Sequence, residues 1–212
     1  MITAVVLVSL PVFVQAPLVR HWPWFSLVAT LGWFLWSRWL LEHPQSKIWG
    51  DLLFGFGLAW FAGSLYWGWF RWEPFLHLPM EAIALPLLLW VRTAPWGKVG
   101  MGFYCGSLLG TVITDVYFYC VDLIPYWRSL LQVDQSEALA VLHTALTQVQ
   151  TPWGQGWAIA LVLGLCIAGM SPLLPSTAGS GRSDTLPWWA FSGAVLGTLL
   201  VDGLFLLVAN RF

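Results

Sequence analysis

The sequence is poor in charge. Asp, Glu, Lys and Arg make up 9% of its 212 residues, against roughly a quarter in soluble domains. A soluble domain of this size could not hide its apolar surface behind so few charges, so lipid must cover part of it. The formal net charge is −1, and without a basic excess no nucleic acid partner is expected. Cysteine is also scarce: Cys105, Cys120 and Cys166 are the only three. All sit in apolar stretches without CxxC or Cys/His spacing, so neither a zinc site nor a disulfide framework is indicated. No metal ligand set is assigned and no cofactor can be named. The N-terminus lacks a basic n-region and no A-x-A site follows the first apolar run, so that run is expected to stay as a helix.

Apolar residues are abundant. The hydrophobic share is 58%, the mean hydropathy is +0.73, and the chain carries 17 Trp, a residue that favours the membrane–water interface. At about 20 apolar residues per crossing, the chain divides into segments 2–19, 22–41, 49–70, 75–92, 99–124, 155–174 and 187–209. The expected fold is all-α: a polytopic transmembrane helical bundle of about seven helices (six to eight), forming a single transmembrane domain over 1–212. Segments 2–19 and 75–92 contain Pro11, Pro17, Pro79 and Pro86. They are expected to be kinked or partly re-entrant.

Two connections carry further signals. Residues 134–150 follow helical spacing through Ala138, Leu139, Leu142, Ala145, Leu146 and Val149, with Asp134 placed to cap and Glu137 three residues on. They are expected to form an interfacial amphipathic helix. Residues 175–186 are rich in Gly and Ser and are expected to be a flexible loop. With a cytoplasmic N-terminus, that side holds Arg38, Lys47, Arg92, Lys98 and Arg182, and the other side Arg20, Arg71, Arg128 and Arg211. Five against four favours that orientation.

Two segments share a pattern. Gly106-x-x-Leu109-Gly110-Thr111-x-x-x-Asp115-x-x-Phe118 matches Gly193-x-x-Leu196-Gly197-Thr198-x-x-x-Asp202-x-x-Phe205. The pairs keep one offset within the motif, and upstream Leu85-Pro86-Leu87-Leu88 echoes Ser171-Pro172-Leu173-Leu174 one residue out of register, so 79–124 and 155–209 read as two copies of one hairpin, pointing the same way. Gly106/Gly110 and Gly193/Gly197 are small-xxx-small pairs that let helices approach closely. Thr111 and Thr198 are expected to hydrogen-bond across that contact, bringing Asp115 and Asp202 into one interior site near mid-membrane.

An ionised carboxylate at the bilayer centre costs about 2.5–3.5 kcal/mol on insertion scales, so each must be paired, protonated or facing water. Tyr119 and Asp122 share a helix face with Asp115. The inferred topology also brings His77, Glu81, Asp122, Arg71, Glu73 and Arg128 together at one end, with Tyr66, Trp67 and Trp69 as walls. Asp51 is expected to complement a helix dipole, and His21 and His43 to be interfacial. No residue is assigned as catalytic.

Pro11-Val-Phe-Val-Gln-Ala-Pro17, Trp49-Gly-Asp51-Leu-Leu, Tyr66-Trp-Gly-Trp69, Glu73-Pro74, His77-Leu-Pro-Met-Glu81-Ala, Gly106-Ser-Leu-Leu-Gly-Thr111 and Thr114-Asp-Val-Tyr-Phe-Tyr119 together resemble a family of uncharacterised integral membrane proteins found in cyanobacteria. The resemblance implies a thylakoid or plasma membrane and brings no activity with it. Leu78-Pro-Met-Glu81 is also similar to the Pro-x-Glu-Glu motif of membrane lycopene cyclases, with Ala82 in place of the second acid. The repeat suits a small-solute or cation/proton-linked transporter or channel. Two alternatives stand beside it: an accessory or assembly factor of a photosynthetic membrane complex, or an enzyme acting on a lipid or isoprenoid through Glu81, Asp122 and His77. The expected partners are the bilayer and, for the accessory reading, other subunits of a membrane complex.

Overall fold

A computed structural model describes residues 1–91, 94, 96–174 and 182–209. Ten helices follow in chain order: α1 (Ile2–His21), α2 (Pro23–Glu42), α3 (Lys47–Phe70), α4 (His77–Glu81), α5 (Leu85–Val91), α6 (Lys98–Cys120), α7 (Ile124–Gln132), α8 (Gln135–Val149), α9 (Pro152–Met170) and α10 (Arg182–Ala209). Among the described residues no strand occurs. Among the described residues five stretches are long and apolar enough to cross a membrane: Ile2–His21, Lys47–Phe70, Pro74–Val91, Lys98–Cys120 and Pro152–Leu173. Helices α2 and α10 match them in length, at 20 and 28 residues. The protein is an all-helical, polytopic membrane bundle.

Contacts fix the helix directions. Asp51 of α3 meets Val99 and Gly100 at the start of α6, and Phe56 meets Phe103 further along, so α3 and α6 run parallel. Gly102, Gly106 and Gly110 of α6 lie against Pro187, Phe191 with Ala194, and Thr198 of α10 in turn, so these two are also parallel. Gly193 and Gly197 of α10 lie against Met1 with Ala4, and Val5 with Val8, which adds α1 in the same sense. Four helices therefore run one way, and the chain must return between each pair through α2, Pro74–Val91 and α9. Ser37 with Gly50 and Ser26 with Ser64 show α2 antiparallel to α3.

Helix α3 is the centre of the bundle. Leu52, Leu53, Phe56, Leu58, Ala59 and Trp60 are all in the core, with Phe103, Tyr104 and Leu88 packed on them. Its Gly55 sits directly on the backbone of Gly100, where any Cβ would clash with main chain that cannot move aside. At the far end a buried polar knot ties three helices: Gln15 Nε2 donates to Trp60 O (2.6 Å) and Ser64 Oγ (2.9 Å), and the Ser26 and Ser64 hydroxyls are 2.8 Å apart. Away from water such bonds have no competitor, and they register one apolar helix on another.

Several expectations change. Segment 75–92 is not one helix: α4 and α5 are separated by a turn at 82–84, and Pro86 sits at the start of α5, where its missing N–H costs nothing. The two prolines of α1, Pro11 and Pro17, flank a π turn over Pro11–Gln15, because each ring removes one ladder hydrogen bond and crowds the turn before it. Of the expected loop 175–186, residues 175–181 lie outside the described residues, while 182–186 already belong to α10. Helix α8 spans Gln135–Val149 with Asp134 at the N-cap position, but the Asp134 side chain makes no capping bond. Before it lies α7, a short amphipathic helix not anticipated from the sequence. Its Trp127, Leu130 and Leu131 are half-buried and its Pro125, Arg128 and Ser129 exposed.

Candidate functional site

The site forms where α3 ends, α4 begins and α6 nears its end. At the end of α3 the last turn, Tyr66–Phe70, is a π turn, and Tyr66 is turned fully into the core. Glu73 then accepts the Phe75 N–H (3.4 Å) and Pro74 starts a single 3₁₀ turn. Helix α4 follows directly with His77 and Glu81 four residues apart, hence on one face. The Tyr104 hydroxyl of α6 donates to the Glu81 carbonyl, which seats α4 against α6.

His77 is the hub. Its Nδ1 lies 2.9 Å from Asp115 Oδ1 and 3.1 Å from Oδ2, and its Nε2 lies 4.0 Å from Glu81 Oε1. Whichever of the two groups carries the proton donates in this bond. The Glu81 gap exceeds hydrogen-bond length, so that carboxyl must shift by about 1 Å before a proton can pass to or from Nε2. Asp115 is 3% exposed and His77 9%, so the pair is shielded from both water and lipid.

Aromatic rings enclose the imidazole. Ring centroids of Tyr66, Trp67 and Trp127 lie 4.3, 5.7 and 5.6 Å from it. Trp127 stacks on Trp67 at 5.7 Å with 10° between the planes, and meets Phe118 edge-on. The Tyr66 hydroxyl is buried and has no hydrogen-bond partner among the described residues. Trp69, expected as a third wall, pairs with Trp24 instead, because the π turn points it to the opposite side.

An outer layer lies at the surface above the cluster. Arg128 Nη2 bonds Glu73 Oε1 at 2.9 Å, and its guanidinium stands over Phe75. That bond holds the Glu73 carboxyl below the usual glutamate range. Arg71 covers Trp72 and bonds Trp67 O (3.4 Å), and its own carbonyl accepts Trp127 Nε1 (3.3 Å). Tyr119 stacks on Phe75 and reaches Pro74 O at 3.5 Å. Thus Arg71, Glu73, Arg128 and Tyr119 gather at the expected end but do not touch His77.

Asp122 leaves the cluster. It is exposed and has φ +57°. Leu123 N–H bonds Phe118 O (2.8 Å) and Asp122 N–H reaches Tyr119 O (3.4 Å), the 6→1 and 5→2 bonds of a Schellman helix stop. Helical spacing would carry Asp122 to the face of Asp115, but the helix ends before it.

The two intramembrane aspartates have separate partners rather than one shared site. Asp202 Oδ2 accepts from Thr114 Oγ1 at 3.1 Å, while Asp115, one residue on, turns to His77. The depth also differs from the expectation: Asp115 lies six residues beyond the middle of α6, about 9 Å toward one membrane face. Thr111 and Thr198 bond Ser107 O (3.3 Å) and Ala194 O (3.2 Å) within their own helices, not across the contact. Gly106 and Gly110 do face α10, whereas Gly193 and Gly197 face α1. Asp51 carries out its electrostatic role on another helix than its own, accepting Val99 N–H (2.9 Å) and Gly100 N–H (3.0 Å) at the start of α6. The sequence reading missed Thr114 and Trp127. A hydroxyl beside Asp115 was a usable signal for the first; for the second only the apolar spacing of α7 pointed inward. Among the described residues no group of three His, Cys, Asp or Glu is placed to hold a metal ion.

These features define a polytopic helical membrane protein with a histidine–carboxylate cluster buried near one face. Residues 4–210 match the family model described as a protein of unknown function (DUF3120), and the chain belongs to that family. No curated protein and no solved structure matches the chain.

Proposed function

We propose that the protein is a proton-linked membrane transporter or channel for a small cation or solute, with His77, Asp115 and Glu81 as its proton-carrying group. The observation that carries this reading is His77 lying between two carboxylates of membrane helices, one at each ring nitrogen. An imidazole so placed takes a proton at one nitrogen and releases it from the other, and ionisable groups held inside a bilayer mark ion and proton paths. Asp202, bonded to Thr114, stands outside this relay. A solute path shared by both aspartates is therefore not part of the proposal. In the same reading the membrane is a thylakoid or plasma membrane with the N-terminus cytoplasmic, which puts the cluster near the opposite face, where α3 and α6 end.

The test uses the full chain in liposomes loaded with a pH-sensitive dye. One arm imposes a membrane potential; the other applies pulses of Na⁺ or K⁺ with choline as control. Wild type is expected to change the internal pH in at least one arm, and His77→Gln and Asp115→Asn to abolish the response. Traces equal to empty liposomes in both arms, or unaffected by the two substitutions, overturn the reading.

A second reading, an accessory or assembly subunit of a membrane complex, is favoured by one observation. Trp22, Trp24, Trp36 and Trp39 near or on α2 are exposed, as is Trp153 on α9, and Gly156 and Gly164 of α9 have nothing against them. Co-purification of other membrane subunits with the tagged protein in mild detergent, lost on Gly164→Leu, would support it; a chain that purifies alone would count against it. The lipid-enzyme alternative loses Asp122 as an acid–base group, since that side chain faces away from His77 and Glu81.

A further inference from the structure

We propose that α7 is a lid over the His77 cluster, held shut by Trp127 and by the Arg128–Glu73 pair, and that lifting it connects the cluster to water at that membrane face. The proposal deepens the proton-linked reading and rests on it for the use to which the opening is put.

Four observations support it. First, α7 is bounded by breaks on both sides. Asp122 holds the left-handed turn before it, and Val133 and Asp134 are extended after it, at ψ 157° and 163°. A helix of nine residues between two such joints can move as a unit. Second, its Trp127 closes the aromatic box, in contact with His77, Trp67 and Phe118 at once. Third, its attachments converge on one short stretch. Trp127 Nε1 donates to Arg71 O, and Arg128 bonds Glu73 two residues on. Fourth, the latch is weak where it meets water. The Arg128 and Glu73 side chains are 43% and 46% exposed, and exposed pairs of this kind shift an equilibrium by at most about fivefold. A lid of this construction can open without disturbing the helices that hold Asp115 and His77.

The test reads access to His77 directly. The full chain in lipid nanodiscs is treated with diethyl pyrocarbonate, and carbethoxylation of each histidine is followed by peptide mass spectrometry. The exposed His21 and His43 serve as internal controls. Wild-type His77 is expected to react slowly. Glu73→Gln and Arg128→Gln should each speed it by about 1.5- to 5-fold with no change at His21. The double variant Glu73→Cys/Arg128→Cys, oxidised to lock the lid, should react more slowly than wild type, and reduction should reverse this. The proposal is overturned if His77 reacts at one rate in all of these, or if the oxidised lock leaves access at the wild-type rate. Proton flux on the same samples separates the two ideas. Changed access without any flux keeps the lid and removes the proton reading; flux without changed access does the reverse.

Discussion

Helices α6 and α10 carry the same pattern of Gly, Leu, Thr and Asp in the same order and lie side by side, parallel. Their motifs nevertheless do different things. In α6 the glycines receive α10 and the aspartate is buried on a histidine. In α10 the glycines receive α1, and the aspartate is half-buried on a single threonine hydroxyl. A repeated motif therefore supplies a repeated shape, while the neighbour decides the chemistry. Two parallel helices in contact cannot both present the same face to each other by translation alone. Each turns its glycine stripe to the next helix in the row, so α6 faces α10 and α10 faces α1. The aspartates are rotated with the stripes, and only Asp115 meets α4.

The sharpest way to break this comparison is to remove each aspartate in turn. Asp115→Asn is expected to lower proton flux by about tenfold or more, and Asp202→Asn to leave it within about twofold, if only the former belongs to the relay. Equal losses in the liposome assay would merge the two sites again. Next come the glycines. Gly106→Ala presses a Cβ onto the Phe191 carbonyl, and Gly193→Ala presses one onto Met1 O and Ala4. Each should cost about 1–3 kcal/mol, measured by unfolding in detergent. Gly203→Ala, with open space around it, should cost nothing measurable, and an equal loss there would mean that helix packing is not what the stripes encode. Asp51→Ala removes the acceptor for two N–H groups at the start of α6 and should cost about 1–2 kcal/mol by the same measurement.

Smaller effects test the hydroxyls and the surface pair. Thr114→Val loses the bond to Asp202 and should cost about 0.6 kcal/mol, while Thr111→Val, which gives up only a bond within its own helix, should cost less. The smallest effect concerns pH. Arg128 lowers the Glu73 carboxyl below its ordinary value of 4.5, so the pair contributes fully above that value and is lost as pH falls through the lower folded value. Fluorescence of the Trp67–Trp127 stack should therefore change only in acid. In Glu73→Gln that change should be missing; if it persists, another group controls α7.

Much of the membrane architecture was readable because a bilayer leaves few choices. Length and hydropathy give crossings, and the alternation of direction then put Tyr66, Trp67, His77 and Glu81 at one end before any contact was known, while Asp115 was expected near mid-membrane. The partners inside that end were not readable. Helical spacing put Asp122 with Asp115, yet a left-handed residue stopped the helix first. It placed His77 and Glu81 on one face, but nothing in it said that Asp115 would meet Nδ1.

What the sequence alone determined, then, is the helical membrane bundle, the common direction of the two motif-bearing helices, and the presence of a carboxylate in each. Those follow from composition, periodicity and chain connectivity, which are local or cumulative properties. Only the tertiary structure decided that Asp115 pairs with His77 while Asp202 turns to Thr114. That choice depends on helix rotation, which is set by which side chains fill the space between neighbours and is carried by no single segment.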